Sequence, residues 1–152
     1  MSKPKCYLAG RISELDYSQA TAWRDEATRL LNPWFTTLSP MRDKTELKTV
    51  GKLTGAYPQY LLCQSSMIVL RDLHDLDQAD VVLVYSTLGC HPGKATWMEL
   101  GYTVKSGKPI VLVADPADDE LRTNPFLSAL PRLVIVASLD EAVDVLTSLF
   151  NK

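Results

Sequence analysis

The sequence of 152 residues lacks an excess of positive charge and lacks any long apolar run. Its formal net charge is −2, from 16 Lys and Arg against 18 Asp and Glu, which argues against binding a nucleic-acid backbone as the main task. No apolar run approaches the roughly 18–20 residues of a membrane-spanning helix, and residues 1–8 are too few and too polar for a signal-peptide core. We therefore expect a cytoplasmic protein with a small-molecule partner, which binds neither nucleic acid nor membrane.

Signatures of metals and of common cofactors are also missing. The three cysteines are an odd number without metal-ligand spacing, so we interpret them as reduced, with Cys6 in the core because it lies in an apolar run. Neither His74 nor His91 has a second histidine at ligand spacing. No GxGxxG motif follows the first apolar run, and no GxxxxGK(S/T) motif occurs. The sequence thus predicts no metal site and no cofactor, and leaves mononucleotide binding open.

The composition, with 46% hydrophobic and 22% charged residues, is typical of a globular protein, and we interpret residues 1–152 as one domain. Five short apolar runs alternate with segments of helical periodicity. The runs are continuous in Val, Ile and Leu, as in strands that are covered on both faces. They lie at residues 6–9, 34–38, 80–85, 109–114 and 133–137. This pattern predicts a parallel sheet.

Four helices are predicted between and after these strands. The first has an apolar stripe that ends before Pro33, and the second lies within residues 58–78. The third covers residues 95–106 and ends at Gly107, and the fourth begins at a capping box in residues 138–141. The order of elements predicts an α/β, doubly wound, five-stranded parallel sheet with the flavodoxin-like strand order 2-1-3-4-5.

In this strand order, a ligand crevice lies at the carboxyl ends of strands one and three. Gly10, Arg11 and Ile12 follow strand one, and Ser86 follows strand three, so we expect them to line that crevice. Residues 40–57 and 115–131 are long enough to act as lids over it.

Glu99 lies near the start of the helix that leaves strand three, and therefore beside the predicted crevice. There the helix dipole favours the ionised carboxylate, which could attack an electrophilic carbon; the alternative is a solvated helix glutamate. Gly101 is a poor helix residue, and we interpret it as a site of close packing against another backbone.

An acidic segment precedes strand three. Asp72 and Asp75 can share a helix face, whereas Asp77 points elsewhere, so only some of these carboxylates can serve one site. The alternative is a solvated, charged helix face. Asp80, directly before the strand, is predicted to accept hydrogen bonds from backbone amides in a turn.

Several of these segments together resemble one enzyme family. They are YLAG at residues 7–10, DL at 72–73, DVVLV at 80–84, MELGY at 98–102 and GKPIVLV at 107–113. In this order they resemble the nucleoside 2-deoxyribosyltransferase family, whose superfamily also contains the 2′-deoxynucleoside 5′-monophosphate N-glycosidases. The resemblance covers most of the chain, and ELGY followed by GKPI is its most specific part.

The resemblance implies roles for the matching residues. Glu99 matches the nucleophile that attacks the anomeric carbon of 2-deoxyribose, and Tyr7 matches a tyrosine whose hydroxyl holds that glutamate. Asp72 matches the acid that contacts and protonates the departing base, and Asn124 matches an asparagine lent to a neighbouring subunit's site. Gly93 stands where the transferases carry an aspartate that binds the sugar and where the monophosphate hydrolases carry a serine that meets the phosphate.

These implied roles predict a nucleoside 2-deoxyribosyltransferase that acts through a covalent glycosyl-glutamate, with a nucleoside or nucleotide and a free base as partners. One alternative is a nucleoside 5′-monophosphate N-glycosidase, in which Arg11 or Lys94 meets the phosphate. Another is a nucleotide-binding module without turnover. Apolar side chains near the site, such as Trp97 and Phe126, predict a homodimer or higher homo-oligomer that completes the pocket with Asn124.

Overall fold

A computed structural model describes residues 2–150, in which five parallel strands form one sheet. The strands lie side by side in the order β2-β1-β3-β4-β5, and every pairing is parallel. They are β1 (Lys5–Gly10), β2 (Thr36–Leu38), β3 (Val81–Tyr85), β4 (Ile110–Val113) and β5 (Leu133–Val136). The predicted α/β doubly wound fold and its strand order are confirmed.

Helices cover both faces of the sheet. They are α1 (Tyr17–Leu31), α2 (Ser65–Gln78), α3 (Lys94–Lys105), α4 (Asp119–Arg122), α5 (Pro125–Ser128) and α6 (Leu139–Phe150), with 3₁₀ turns at Thr45–Thr49 and Leu61–Cys63. The sequence predicted the four long helices, but α4 and α5 are too short to show a helical period. None of the helices within residues 2–150 is both long enough and apolar enough to cross a bilayer.

Local capping explains where the long helices begin and end. Asp16 accepts a hydrogen bond from the backbone of Gln19, whose side chain accepts one in return, and this capping box starts α1. Gly107 follows α3 with a φ of +71°, a conformation that glycine adopts without strain. The Ser138 hydroxyl accepts from the Glu141 amide at the start of α6, as the sequence predicted.

The strands are apolar throughout because each face of the sheet packs against helices. Cys6, Leu8 and their neighbours on one face form a core with α1 and α6. Tyr7 and Ala9 alternate to the other face, where they form a core with α2 and α3. Tyr7 therefore lies on the same side of the sheet as these two helices.

Residues 40–57, which the sequence suggested as a lid, form a packed wall at the carboxyl end of the sheet. Met41, Leu47 and Leu53 are each at most 4% exposed, and they share a third core with Ala20 and Cys63. Two backbone hydrogen bonds tie Leu53 to residues 14 and 15. The wall is thus part of the folded body. Residues 115–131 likewise fold into α4 and α5 and bury apolar side chains against the sheet.

Candidate functional site

A cavity of about 820 Å³ opens at the carboxyl ends of β1 and β3, between α2, α3 and the wall of residues 40–57. Its volume falls within the roughly 300–1,000 Å³ that is usual for small-molecule sites. It contains six of the nine predicted site residues. These are Gly10, Arg11, Ile12, Asp72, Gly93 and Glu99.

Gly10 shapes the floor of this crevice. It pairs with Tyr85 in the sheet, so β1 and β3 end side by side. A Cβ atom at Gly10 would come within 2.8 Å of the Trp23 ring and 3.3 Å of the Tyr85 carbonyl oxygen. Trp23 stacks on the Tyr85 ring with 4.8 Å between centroids, and only a glycine at position 10 leaves room for that stack.

Glu99 lies in the second turn of α3, and its side chain lines the cavity. Burial raises the pKa of Glu99 from 4.5 to about 7, while the Tyr7 hydroxyl lowers it and the charge of Asp72 raises it further. The expectation that the helix dipole keeps this carboxylate ionised is therefore wrong. The dipole acts mainly within the first turn, and here the loss of water outweighs it.

Tyr7 supports Glu99 from the sheet. Its side chain is completely buried, and burial, followed by the charge of Glu99, raises the pKa of Tyr7 well above 10.0. The hydroxyl is close enough to Glu99 to lower the carboxyl pKa, yet the pair falls short of full hydrogen-bond geometry. The Tyr7 hydroxyl and Glu99 Oε2 thus remain buried without a partner in the described part of the chain.

Arg24 is a buried cation behind the site that the sequence analysis missed. It is 1% exposed and donates to the carbonyls of Gly10 (2.9 Å), Leu8 (3.4 Å) and Ala20. Burial lowers its pKa to about 10, so it stays positive at neutral pH, and its charge lowers the pKa of Glu99. The sequence did contain one indication that Arg24 is buried, because its spacing from Ala20 and Ala27 puts it on the apolar stripe of α1.

Asp72 reaches the cavity from α2. Burial raises its pKa from 3.8 to about 6, against the opposing charge of Lys44. The charge of Asp75 raises the pKa of Asp72 further, and the charges of Arg71 and Arg42 lower it. One Asp72 oxygen is buried without a hydrogen-bond partner in residues 2–150. The alternative of a fully solvated carboxylate is therefore wrong for this residue.

The neighbouring aspartates have other partners. Asp75 is 3% exposed and holds the Arg42 guanidinium with both oxygens. Asp77 accepts a 2.6 Å hydrogen bond from the Tyr102 hydroxyl. Asp80 accepts from the Lys5 amide at 2.7 Å, which confirms that it binds backbone, but the donor lies 75 residues away and not in a turn around Asp80. Asp72 is the member of this group that faces the cavity.

Three predicted site residues do not line this cavity: Tyr7, described above, Ser86 and Asn124. Ser86 is 3% exposed with an unpartnered hydroxyl within the described residues, but it does not line the cavity. Asn124 caps α5 by accepting from the Phe126 and Leu127 amides, and it lines a second cavity of about 570 Å³. The role of Asn124 in a partner's site stays a prediction.

Gly101 lines the same second cavity, and its surroundings differ from those that the sequence predicted. This residue is exposed, and a Cβ atom there would meet nothing within 4 Å. In residues 2–150, no backbone outside its own helix packs closely against it.

The two cations at the rim of the first cavity differ in whether a protein group already binds them. Arg11 pairs with Glu14 at 3.0 Å and also donates to the Ser13 carbonyl. Lys94 is exposed at the start of α3. A phosphate at Arg11 would compete with Glu14, whereas Lys94 can turn toward a ligand.

No protein-family model matches the chain, and no curated protein does. Solved structures match over nearly the whole length. A protein described as the CMP N-glycosidase BcmB of Clostridium botulinum is 11% identical, with a TM-score of 0.60, over 95% of this chain and 98% of that one. A conserved protein from Enterococcus faecalis V583 is 15% identical, with a TM-score of 0.61, over 97% and 99%.

A molybdenum cofactor binding protein from the phototrophic bacterium Rippkaea orientalis is 18% identical, with a TM-score of 0.65, over 98% of each chain. At such low identities these likenesses show the fold alone. The chain thus shares its fold both with an N-glycosidase and with a cofactor-binding protein.

Proposed function

We propose that this protein cleaves the N-glycosidic bond of a nucleoside, with Glu99 as the nucleophile, and transfers the 2-deoxyribose to a second base. The observation that carries this proposal is the group of unpartnered polar atoms on Asp72 and Glu99, which line one cavity, and on Tyr7, whose hydroxyl lies close to Glu99. Buried polar groups in proteins nearly always have hydrogen-bond partners. The absence of partners for these atoms therefore favours a ligand-binding role over a structural one.

The chemistry follows from the residue types. A Glu99 oxygen attacks carbon one of the sugar, the bond from that carbon to the base nitrogen breaks, and the electron pair leaves with the base. Asp72 contacts the base and, in its protonated form, supplies the proton. A second base then attacks the glycosyl-glutamate ester, so that two inversions retain the configuration at carbon one.

The ionisation of the two carboxyl groups bears on this scheme. The pKa of Glu99 is about 7 and that of Asp72 about 6, so near neutral pH Asp72 is mostly ionised. Glu99 attacks only as the anion, and the rate should therefore rise as the pH passes through 7. When Asp72 is ionised, the departing base needs another positive group beside it.

The test is chromatographic. Pure protein is incubated with a panel of 2′-deoxynucleosides, and free base should appear; added second base should yield the exchanged nucleoside. Glu99→Gln should lower both reactions by several orders of magnitude while substrate still binds. Asp77→Asn, outside the cavity, is the control. A nucleoside with fluorine on carbon two should leave its sugar on a peptide that contains Glu99. Near-normal turnover by Glu99→Gln would overturn the proposal.

A second candidate is an N-glycosidase of nucleoside 5′-monophosphates. A structure with the same fold is described as a CMP N-glycosidase, and the cations Arg11 and Lys94 at the rim suit a phosphate. Release of base from nucleotides alone, without exchange, would favour this candidate. Binding without any turnover would instead favour a non-catalytic module, the kind of role that the cofactor-binding protein of the same fold suggests.

A further inference from the structure

Lys44 is a buried lysine on the wall of the candidate active site. It is 5% exposed, and it lines the same cavity as Asp72 and Glu99. None of the ion pairs found in residues 2–150 involves its ammonium group, and neither does any side-chain hydrogen bond found there. Its Nζ is not among the fully buried atoms without a hydrogen-bond partner, so it keeps contact with the cavity. A lysine with a buried stem and no protein acceptor for its ammonium points to a ligand in the cavity that supplies one.

The position of Lys44 is set by two ion pairs between the wall and α2. Arg42 holds Asp75 with two hydrogen bonds, and Asp43 pairs with Arg71 at 3.2 Å. The residues of α2 in these pairs flank Asp72 along the helix. The backbone of Asp43 has a φ of +61°, and the turn that follows buries Leu47. The wall therefore holds Lys44 over the stretch of α2 that presents Asp72.

The charges around Lys44 leave its ammonium available. Burial lowers the pKa of Lys44 below its ordinary 10.5, the charge of Asp72 raises it, and the cations Arg71 and Arg42 lower it further. Arg42 and Arg71 each pair with another aspartate, although one terminal nitrogen of Arg71 has no hydrogen-bond partner in residues 2–150. Lys44 is thus a buried cation without an ion pair in the described residues, and it lines the cavity beside the acids Asp72 and Glu99.

This inference rests on the proposed function. We propose that Lys44 binds the base of the substrate, donating a hydrogen bond to a ring acceptor atom beside the group that Asp72 contacts. When Glu99 attacks carbon one, the carbon–nitrogen bond breaks and its electron pair passes to the base, which leaves as an anion next to the ammonium. With Asp72 ionised, the base then takes a proton from water, and Lys44 keeps its own.

The donor and acceptor types select a class of base. An ammonium only donates hydrogen bonds, and an ionised carboxylate only accepts them. Together Lys44 and ionised Asp72 match a base edge with a ring acceptor next to an amino group. Cytosine and adenine have this edge. Uracil, thymine and hypoxanthine also have a donor beside an acceptor, but in the opposite order, with a ring N–H next to a carbonyl. Held by the same glycosidic bond, they place the carbonyl at Asp72 and the N–H at Lys44, so both positions are mismatched. The pair therefore favours amino bases over oxo bases.

The experiment compares matched pairs: deoxycytidine with deoxyuridine, and deoxyadenosine with deoxyinosine, each also as the 5′-monophosphate. For the wild type, kcat/KM should favour the amino base by about 10- to 100-fold, the range of one hydrogen bond to a charged group. Lys44→Met should lower kcat/KM for amino bases by about 100-fold and leave a preference of only a few-fold. Lys52→Met, at an exposed position outside the cavity, should change neither value.

A second variant separates hydrogen bonding from charge. Lys44→Gln keeps one donor but loses the positive charge, so it should retain part of the amino-base preference while kcat falls. It also carries the test if Lys44→Met fails to fold, which a thermal melt would reveal. A wild type without amino-base preference, or equal losses on both classes in Lys44→Met, would overturn the inference. Wild-type rates in Lys44→Gln would overturn the charge-stabilising role.

Direct binding distinguishes failure of this inference from failure of the proposed function. The Glu99→Gln variant and the double variant that also carries Lys44→Met are each titrated calorimetrically with free cytosine and with free uracil. Tighter binding of cytosine that Lys44→Met abolishes supports the inference, even if the wild type cleaves no nucleoside and the proposed function fails. Equal binding of the two bases overturns the inference, whatever the turnover.

Discussion

Replacing Glu99 with glutamine should stabilise the protein at alkaline pH. Burial raises the pKa of Glu99 from 4.5 in the unfolded chain to about 7 in the folded one. Below pH 4.5 the group is protonated in both states and imposes no penalty. As the pH rises toward 7, the unfolded chain ionises first and stability falls, and above 7 the penalty is complete.

The size of this effect follows from the two pKa values. At about 1.4 kcal/mol per pKa unit, a change from 4.5 to about 7 corresponds to about 3 kcal/mol, as an upper bound because the cavity admits water. Glu99→Gln removes the ionisation and keeps the shape. Its advantage in unfolding free energy should grow from near zero at pH 4.5 toward that figure at pH 8. For a chain of this size, about 2–4 °C per kcal/mol gives a rise in Tm of at most roughly 6–12 °C.

Thermal melts followed by circular dichroism from pH 4.5 to 8.5 measure this difference. Asp25→Asn, at an exposed position of α1, is the control, and its effect on Tm should not vary with pH. A Glu99→Gln advantage that stays constant across the range, or a variant that is less stable at pH 8 than at pH 5, would refute the argument. The carboxylate would then be well solvated or firmly paired.

Two further predictions concern the aspartates of α2 and the oligomer. Asp72→Asn should lower turnover by at least about 100-fold with little loss of stability, whereas Asp77→Asn should keep near-normal turnover. Asp75→Asn, which breaks the pair with Arg42, should instead lower stability by about 2–4 kcal/mol, the lower part of the range for buried pairs because Arg42 is partly exposed. Equal, small effects at all three positions, measured by kinetics and chemical denaturation, would contradict these assignments. Light scattering should detect a homodimer or larger assembly, because Phe126 is 76% exposed; a fully active monomer would contradict the shared site.

The fold could be predicted from the sequence because its signals are local and repeated. Continuous apolar runs required a sheet covered on both faces, and β1, β3, β4 and β5 lie within or close to the predicted bounds. The alternation with long amphipathic helices then left few topologies open. Gly107 was also predictable, because a helix-ending glycine acts on nearby backbone. Asp80 was predicted as a backbone acceptor in a turn, but its donor, the Lys5 amide, lies 75 residues away in the chain.

The placement of Glu99 beside the crevice was predictable to the same extent, since its helix leaves the carboxyl end of β3. Asp72 was assigned to the same site only through the family resemblance, because the strand order does not say which carboxylate of α2 faces the crevice. The acidities of the two carboxyl groups were not predictable. A pKa depends on how much water the complete fold removes and on which charges remain nearby. The helix dipole alone predicted an ionised Glu99, whereas burial raises the pKa of Glu99 to about 7.

The burial of most charged residues around the site was decided by tertiary structure. Lys44 and the Arg42–Asp75 pair are polar side chains that a sequence pattern assigns to the surface, and Arg24 was indicated only by its place on the apolar stripe of α1. Their burial depends on contacts between segments far apart in the chain, such as the wall of residues 40–57 and α2. Hydrophobic periodicity records which face of an element is covered, but it does not record which distant charge meets that face.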